Sequence, residues 1–538
     1  MSESFRAADG LRFGCPGCGS GLRFDPREQN LHCDSCGQKY QLSEIPDPSA
    51  GAADGMMDAA EYRCPQCGAA VHTSQTAVTS FCSFCGADVI LSSQLTRTRR
   101  PQQIVPFRIT REECEEIYRK KVAEARFAPA DFGAEETISH FRPVYIPFWR
   151  YRCRSEGQVT GSGVETHNDA TYHYTDTYEY SVAGNIAVSG VVYDASLAFE
   201  DETAQRLRFS VKRARPFHAA CLCGFYAEAP DTDPALYSGG LAEYARNAWS
   251  KEFEKKSKLH DAKVDFPEAG YEEKTGLLLM PVWLLAHRTA GRVVYTAING
   301  DSGEIVCDTP ISNRRFGILT AEIAAVLAAA LMLLQFVAFL RPRLLLGLCG
   351  LIATVAQWVI ADVSKDLRYR SSHANDPTRQ WMAQRETGGA KKSKPPKLRT
   401  QHPGCLWWVP VLITGVIVGV GMMLSWMNSY GVNEFLGKLV SDHAWLPKVL
   451  LGCSAVIFVA SGYRARHGLD DALFVLRLLA VLVSLTAVLR PEISGDVAFY
   501  ALCILLMGLT AVSLLRLNGA HNEYVSRPVP FFGKGEEA

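Results

Sequence analysis

Four Cys-x-x-Cys pairs in the N-terminal part of the chain constrain its fold more than any other feature: Cys15/Cys18, Cys33/Cys36, Cys64/Cys67 and Cys82/Cys85. The second set of four repeats the first at a constant offset of 49 residues, and each second cysteine is followed by glycine (Gly19, Gly37, Gly68, Gly86). This repeat marks two tandem modules of one kind. A Cys-x-x-Cys-Gly knuckle turns the backbone so that two thiolates converge on one ion, and glycine accepts the left-handed turn that follows. Two such knuckles at the tips of two hairpins complete a Cys₄ tetrahedron, the arrangement of a zinc ribbon. The spacing therefore predicts two β zinc ribbons, at residues 12–40 and 61–92, each with one structural zinc. Four cysteines leave no place for water or substrate, which argues against catalytic zinc; iron is the rival metal. A module this short has almost no apolar core, so metal binding would supply most of its folding free energy. A disulfide framework is the competing reading. The Met-Ser-Glu-Ser-Phe-Arg start lacks an apolar signal stretch, which points instead to the reducing cytosol. The close pair Cys221-Leu-Cys223 reads as part of a buried strand, where cysteine serves as a small hydrophobe.

Residues 1–100 hold 9 basic and 11 acidic side chains. Nucleic-acid binding normally needs a basic face, so protein contact is favoured for the ribbons over nucleic acid. The segment 41–60 between the modules is acidic and rich in Pro, Gly and Ala, and reads as a flexible linker.

Residues 101–310 read as a mixed α/β, strand-rich cytosolic domain. A Thr cap followed by early glutamates predicts a helix over 110–126, and 240–258 reads as an amphipathic helix burying Trp249 and Phe253. Two segments echo each other: Tyr145-Ile-Pro-Phe-Trp149 and Leu279-Met-Pro-Val-Trp283. Proline inside a strand favours an edge or a bulge, so either an internal duplication or two coincidental edge strands fits. Asn299 to Gly303 is a hairpin turn signal. The region contains no phosphate loop, no His-Glu-x-x-His and no Gly-x-Ser-x-Gly, so no catalytic residue is assigned. His167 and His173 fit one face of a strand, and Glu112 to Glu116 fit a solvated helix face.

The zero net charge of the whole, 56 Lys+Arg against 56 Asp+Glu, conceals two halves. Residues 1–310 carry 33 basic and 42 acidic side chains; residues 311–538 carry 23 and 14 together with nearly all the long apolar runs. Spans of roughly 20 apolar residues fit a bilayer. Six windows qualify, giving an all-α polytopic membrane domain over 317–515: 317–340, 343–362, 405–427, 445–462, 471–489 and 496–515, followed by a tail at 516–538. With the N-terminus cytosolic, 17 Lys/Arg flank the membrane on the cytosolic side and five on the other. The positive-inside rule then places both termini in the cytosol. Lys391, Lys392, Lys394 and Lys397, in the 363–404 loop, are candidates for lipid headgroups. Glu322 and Arg477 are intramembrane charges and so candidate functional residues, although Glu322 fits the interface and Arg477 can snorkel.

The paired CPxCG ribbons, the two Trp strands and the Asn-Gly-Asp-Ser-Gly-Glu hairpin leading into membrane helices resemble a group of bacterial zinc-ribbon membrane proteins. Members are labelled as transcription-factor-IIB-type ribbons or primosomal protein N′-like helicases. The resemblance covers about residues 12–310. It implies metal-ligand roles for the eight ribbon cysteines and a setting beside phage-shock-type and flotillin-like membrane-stress proteins, where such proteins recruit soluble partners to the bilayer. The helicase label conflicts with the absence of a phosphate loop. The expectation is a non-enzymatic scaffold at the inner membrane, docking a cytosolic protein partner. The alternatives are a membrane-tethered nucleic-acid or transcription regulator, and a transporter or membrane enzyme.

Overall fold

The computed structural model describes residues 13–50, 55–335, 342–371, 446–464, 471–490 and 496–528, apart from short breaks within 55–335. The chain is multidomain, with two Cys₄ modules, a strand-rich body and a C-terminal set of helices.

In the first module, β1 (Leu22–Asp25), β2 (Asn30–Cys33) and β3 (Lys39–Tyr40) form a three-stranded antiparallel sheet. The second module is not a separate bead. Its β4 (Met56–Arg63) and β5 (Ala70–Thr73) enter a 13-stranded sheet, the hairpin of β6 (Thr79–Phe81) and β7 (Asp88–Ile90) stands apart, and β8 (Ser92–Arg99) returns to pair with β4. The flexible linker expected at 41–60 is corrected as well. Ile45 and Ser49 are buried, and residues 56–60 already belong to β4. The Arg100 guanidinium holds this segment, donating to Ser49 Oγ at 3.0 Å and to Asp47 Oδ2 at 3.1 Å.

The large sheet is assembled from one pattern used twice. First come β9 (Gln103–Ile104), α1 (Arg111–Glu124), the short α2 (Glu135–Ile138), and the hairpin of β10 (Arg142–Asn168) and β11 (His173–Asp194). After α3 (Asp201–Arg206) and β12 (Arg215–Pro216) the order returns: β13 (Tyr226–Glu228), α4 (Ser238–Ser257), β14 (Lys263–Asp265), β15 (Tyr271–Thr289), β16 (Arg292–Asn299) and then β17 (Ile305–Cys307). The echoed Trp strands are direct neighbours: β10 and β15 run antiparallel with Tyr145 opposite Pro281, Ile146 opposite Met280 and Pro147 opposite Leu279. A local two-fold axis through Ile146 and Met280 relates the halves. It takes the parallel pair Tyr145/Ala227 onto Leu279/Ile104, and Phe148/Asp194 onto Val282/Asn299.

This symmetry corrects the edge-strand reading of the prolines. Each sits in the middle of the sheet where its strand changes neighbour, from β13 to β11 at Pro147 and from β9 to β16 at Pro281. No ladder needs an N–H there, so proline costs no hydrogen bond. Both carbonyls are used: Pro147 O accepts from Ala195 N at 2.8 Å and Pro281 O from Gly300 N at 2.9 Å. The two tryptophans also match, Trp149 Nε1 donating to Thr232 O and Trp283 Nε1 to Ile109 O.

Strand alternation sorts the packing. Odd-numbered Tyr145, Leu279 and Trp283 share a core with α1 residues Cys114 and Tyr118 and with Phe13 and Phe24 of the first ribbon. Even-numbered Val144, Ile146, Met280 and Val282 share one with Tyr62, Phe84 and the cysteines of the second ribbon. The tandem ribbons therefore lie against opposite faces of one sheet.

The helices follow: α5 (Asn313–Gln335), α6 (Pro342–Ser371), α7 (Leu446–Arg464), α8 (Asp471–Leu489) and α9 (Asp496–Val525), then β18 (Ser526–Pro528). The expected span 405–427 and the lysines at 391–397 lie outside the described residues. Among the described residues, Leu345–Leu367 and Val497–Val525 are long and apolar enough to cross a membrane, by length and composition. Leu346, Leu451, Val481, Phe499 and Leu506 form a shared core. Small residues bring α6 close to α7: a Cβ on Gly350 would stand 2.5 Å from Leu451 Cδ2. The expected tail at 516–538 is corrected in its first part. Helix α9 continues to Val525, and β18 adds to β16 with Val294 opposite Ser526 and Arg292 opposite Pro528.

Candidate metal centres

The knuckles repeat one backbone design. Cys15, Cys33 and Cys82 each accept, through their carbonyl, the N–H of the glycine four residues on, at 2.8, 2.9 and 2.9 Å. These glycines have φ of +76° (Gly19), +73° (Gly37) and +65° (Gly86), the left-handed conformation that the sequence pattern requires. The N–H groups of Cys15, Cys33, Cys64 and Cys82 each donate to the carbonyl five residues ahead, closing the loop beneath the thiols.

The sulfurs converge in two groups, Cys15/Cys18/Cys33/Cys36 and Cys64/Cys67/Cys82/Cys85, with all ligand atoms of a group within 4.8 Å of one another. Cys15 and Cys36 lie 3.6 Å apart, Cys18 and Cys33 3.4 Å, Cys64 and Cys85 3.8 Å, and Cys67 and Cys82 3.7 Å. Zn–S bonds of about 2.3 Å in a tetrahedron require sulfur–sulfur edges of about 3.8 Å, whereas a disulfide needs about 2.0 Å. The donor sets thus fit two zinc sites and do not fit cystines.

The surroundings differ. In the first centre Cys18 and Cys36 are exposed, and in the second all four cysteines are buried. The Tyr40 hydroxyl, 3.5 Å from Cys15 Sγ, holds that thiol down at about 6. The Ser20 hydroxyl lowers Cys18. In the second centre, hydrogen bonds from Cys67, Cys82 and Cys85 pull Cys64 down, and Cys64 in turn pushes Cys67 up. These hydrogen bonds favour the thiolate, the form a metal takes, at Cys15, Cys18 and Cys64. Ser20 stands two residues past Cys18 and Tyr40 four past Cys36, so sequence proximity to the knuckles is the only local signal of their role.

The remaining candidates scatter. Cys221 is buried, but in a 3₁₀ turn over Ala219–Leu222 rather than the expected strand, because the His218 side chain accepts from Ala220 N and caps a turn. His167 stands opposite Tyr174 and His173 opposite Asn168, so the two histidines hold alternating register positions in the β10–β11 hairpin rather than positions on one face. The glutamates of α1 are helix furniture: Glu113 completes a capping box with Thr110, and Glu115 pairs with Arg111 and Arg119. Glu322 is exposed on α5. Arg477, an intramembrane charge candidate that could also have snorkelled, is buried between helices and donates to Gln357 Oε1 of α6.

No model of a known protein family matches the chain, and no solved structure matches it. The chain is 27% identical over 316 residues to the uncharacterized protein YdjG of Bacillus subtilis (strain 168), an alignment covering 56% of this chain and 91% of that protein.

Proposed function

We propose that this chain is a non-enzymatic, membrane-anchored scaffold, which holds two structural zinc ribbons at the inner face of a bacterial membrane and recruits a cytosolic protein partner there, in the membrane-stress setting implied by the family it resembles. One observation carries the reading: both ends of the helical segment are tied to the ribbon-bearing body. At the entry, Arg315 donates to Ala128 O at 2.7 Å. At the exit, Asn522 brackets Ile311, accepting its N–H at 2.6 Å and donating to its carbonyl at 2.9 Å, and β18 joins the sheet. A hydrophobic segment leaving and re-entering one soluble body makes an even number of crossings, which agrees with six spans and with both termini in the cytosol.

The helices have the polarity of lipid solvent. Val497 and Ile504 are 83% and 74% exposed, while Gln357, Ser454, Arg477 and Ser484 are buried. In water such an arrangement leaves a large apolar surface wet; in a bilayer it satisfies both sides. The basic loop with Lys391, Lys392, Lys394 and Lys397 then meets anionic headgroups from the cytosolic side.

The test is topology followed by recruitment. Cysteine-accessibility labelling of intact cells, with single reporters placed at 341, 438 and 490, should mark all three as external and those at 391 and 534 as internal. A carbonate wash that releases the chain sinks the membrane reading. Partner capture from solubilised membranes, compared with a strain lacking the chain, tests recruitment; identical recoveries sink the scaffold reading.

A further inference from the structure

We propose that the first Cys₄ centre is an oxidation site, where hydrogen peroxide joins an exposed cysteine to a buried one and frees the first ribbon from the sheet. The second centre stays closed to the same reagent. The duplicated module supplies its own comparison. Both centres carry four cysteines in the same knuckles, yet Cys18 and Cys36 are exposed in the first and all four are buried in the second. Donor identity is constant and access differs. In the first centre each exposed sulfur lies beside a buried one of the other knuckle, Cys18 beside Cys33 at 3.4 Å and Cys36 beside Cys15 at 3.6 Å. Closing the Cys18/Cys33 pair to a disulfide of about 2.0 Å is a movement of about 1.4 Å.

The step balances with peroxide as the only co-reactant. The Cys18 thiolate attacks one peroxide oxygen; the O–O bond breaks, a sulfenic acid forms, and the leaving hydroxide takes a solvent proton to become water. The Cys33 thiolate then attacks the Cys18 sulfur. The S–S bond forms, the S–O bond breaks, and a second hydroxide leaves and takes a second proton. Two sulfurs lose two electrons and peroxide gains them. Cys36 and Cys15 make the equivalent pair. Either bond leaves two thiolates, half of a tetrahedral donor set, too few to retain the ion.

The ribbons are attached differently, which gives the step a consequence. Strands β1–β3 form a sheet of their own, and this ribbon meets the body at Phe24, whose ring lies edge-on to Phe225 and whose N–H donates to Cys223 O at 3.0 Å. A module with so small a core depends on its metal. Losing the ion therefore loosens β1–β3 and uncovers the body face that holds Phe107, Phe225, Cys221 and Cys223. Strands β4, β5 and β8 belong to the large sheet and are held by it.

The inference rests on the two-zinc part of the reading above, not on scaffolding or membrane embedding. The full chain, loaded with zinc in detergent micelles, is assayed for metal content and then exposed to hydrogen peroxide. Zinc release, disulfide mapping by mass spectrometry and amide exchange are followed together. We expect loss of one ion of the two, a Cys18–Cys33 or Cys15–Cys36 bond, and recovery with dithiothreitol and zinc. Exchange should quicken over β1–β3 and around Phe225, with β4, β5 and β8 unchanged. Cys18→His/Cys36→His keeps four zinc ligands and removes both exposed sulfurs, so it should hold both ions against the same peroxide. Two ions bound and neither released, or both released together, overturns the proposal while the zinc reading stands. So does a disulfide confined to one knuckle, β1–β3 still protected after the bond forms, or a double variant that loses its ion as fast as the parent. Fewer than two ions bound before peroxide overturns the zinc reading and this proposal with it.

Discussion

Zinc should leave the two centres at very different rates, and a single substitution should separate them. Cys18 and Cys36 are exposed in the first centre, so a chelator reaches sulfur without any opening of the fold. In the second centre the four cysteines are buried in one core with Tyr62, Phe84, Val144 and Val282. Exposing one large side chain costs about 1.5–3 kcal/mol, so an opening that uncovers both aromatics costs about 3–6 kcal/mol. At about 1.4 kcal/mol per factor of ten, release from the second centre should be slower by about two to four orders of magnitude. The assay loads the chain with zinc, adds excess pyridylazoresorcinol, and follows the colour of the zinc complex. Two phases of equal amplitude are expected, summing to two ions per chain. Cys18→Ser should abolish the fast phase and leave the slow one, since the ribbons occupy opposite faces of the sheet and share no ligand. A single phase, or a fast phase that survives Cys18→Ser, refutes the reasoning.

Three further outcomes follow from named contacts. Glu228 is buried and its carboxyl is held well above the ordinary range, by burial first and by Asp231 second. The folded state therefore keeps a proton that the unfolded chain loses, and stability should fall as pH rises above about 4.5, by up to about 1.4 kcal/mol per pH unit until the folded group itself ionises. Glu228→Gln should flatten that slope in chemical denaturation and stabilise the chain at neutral pH. Asn522→Ala removes both hydrogen bonds to Ile311 and should cost about 1–3 kcal/mol locally, seen as faster amide exchange along β16 and β18 with β1–β3 unchanged. Gln357→Leu takes away one acceptor of Arg477 and should destabilise the helices by about 1–3 kcal/mol, whereas adding Arg477→Leu should restore most of it in thermal unfolding from detergent.

What was legible in the sequence was local. The knuckles follow from covalent spacing, and the Thr110 cap and Glu113 box from four consecutive residues. The Asn299 turn is equally short-range: Asn299 Oδ1 accepts from Asp301 N at 2.9 Å, and Gly303 takes φ +76°. What was missed required contacts across the chain. Phe24 N donates to Cys223 O, and Tyr295 donates to the carbonyl of Phe84. These tie each ribbon to its face of the sheet, but nothing in either local pattern records the partner. The prolines misled for the same reason. A strand that changes neighbours needs no N–H at the changeover, and only the assembled sheet shows where that is. The Ser526–Pro528 strand is too short to carry any period, and its place is set by Arg292, which donates to Ser526 Oγ at 2.9 Å and to Glu523 O at 2.8 Å.

Helix α9 passes without a break from the apolar bundle into that strand. At 1.5 Å per residue it is about 45 Å long, and its last turn is pinned by Asn522, by Tyr524 donating to Glu202 Oε2 at 2.9 Å, and by Val525 packed against Phe132 and Val294. A rod clamped at one end is a lever. Any tilt imposed at its other end has to be absorbed at β18, on the strand ladder that continues through β16 and β15 to the pair of prolines at the centre of the body. A force on the apolar helices thereby gains a direct mechanical line to the middle of the sheet.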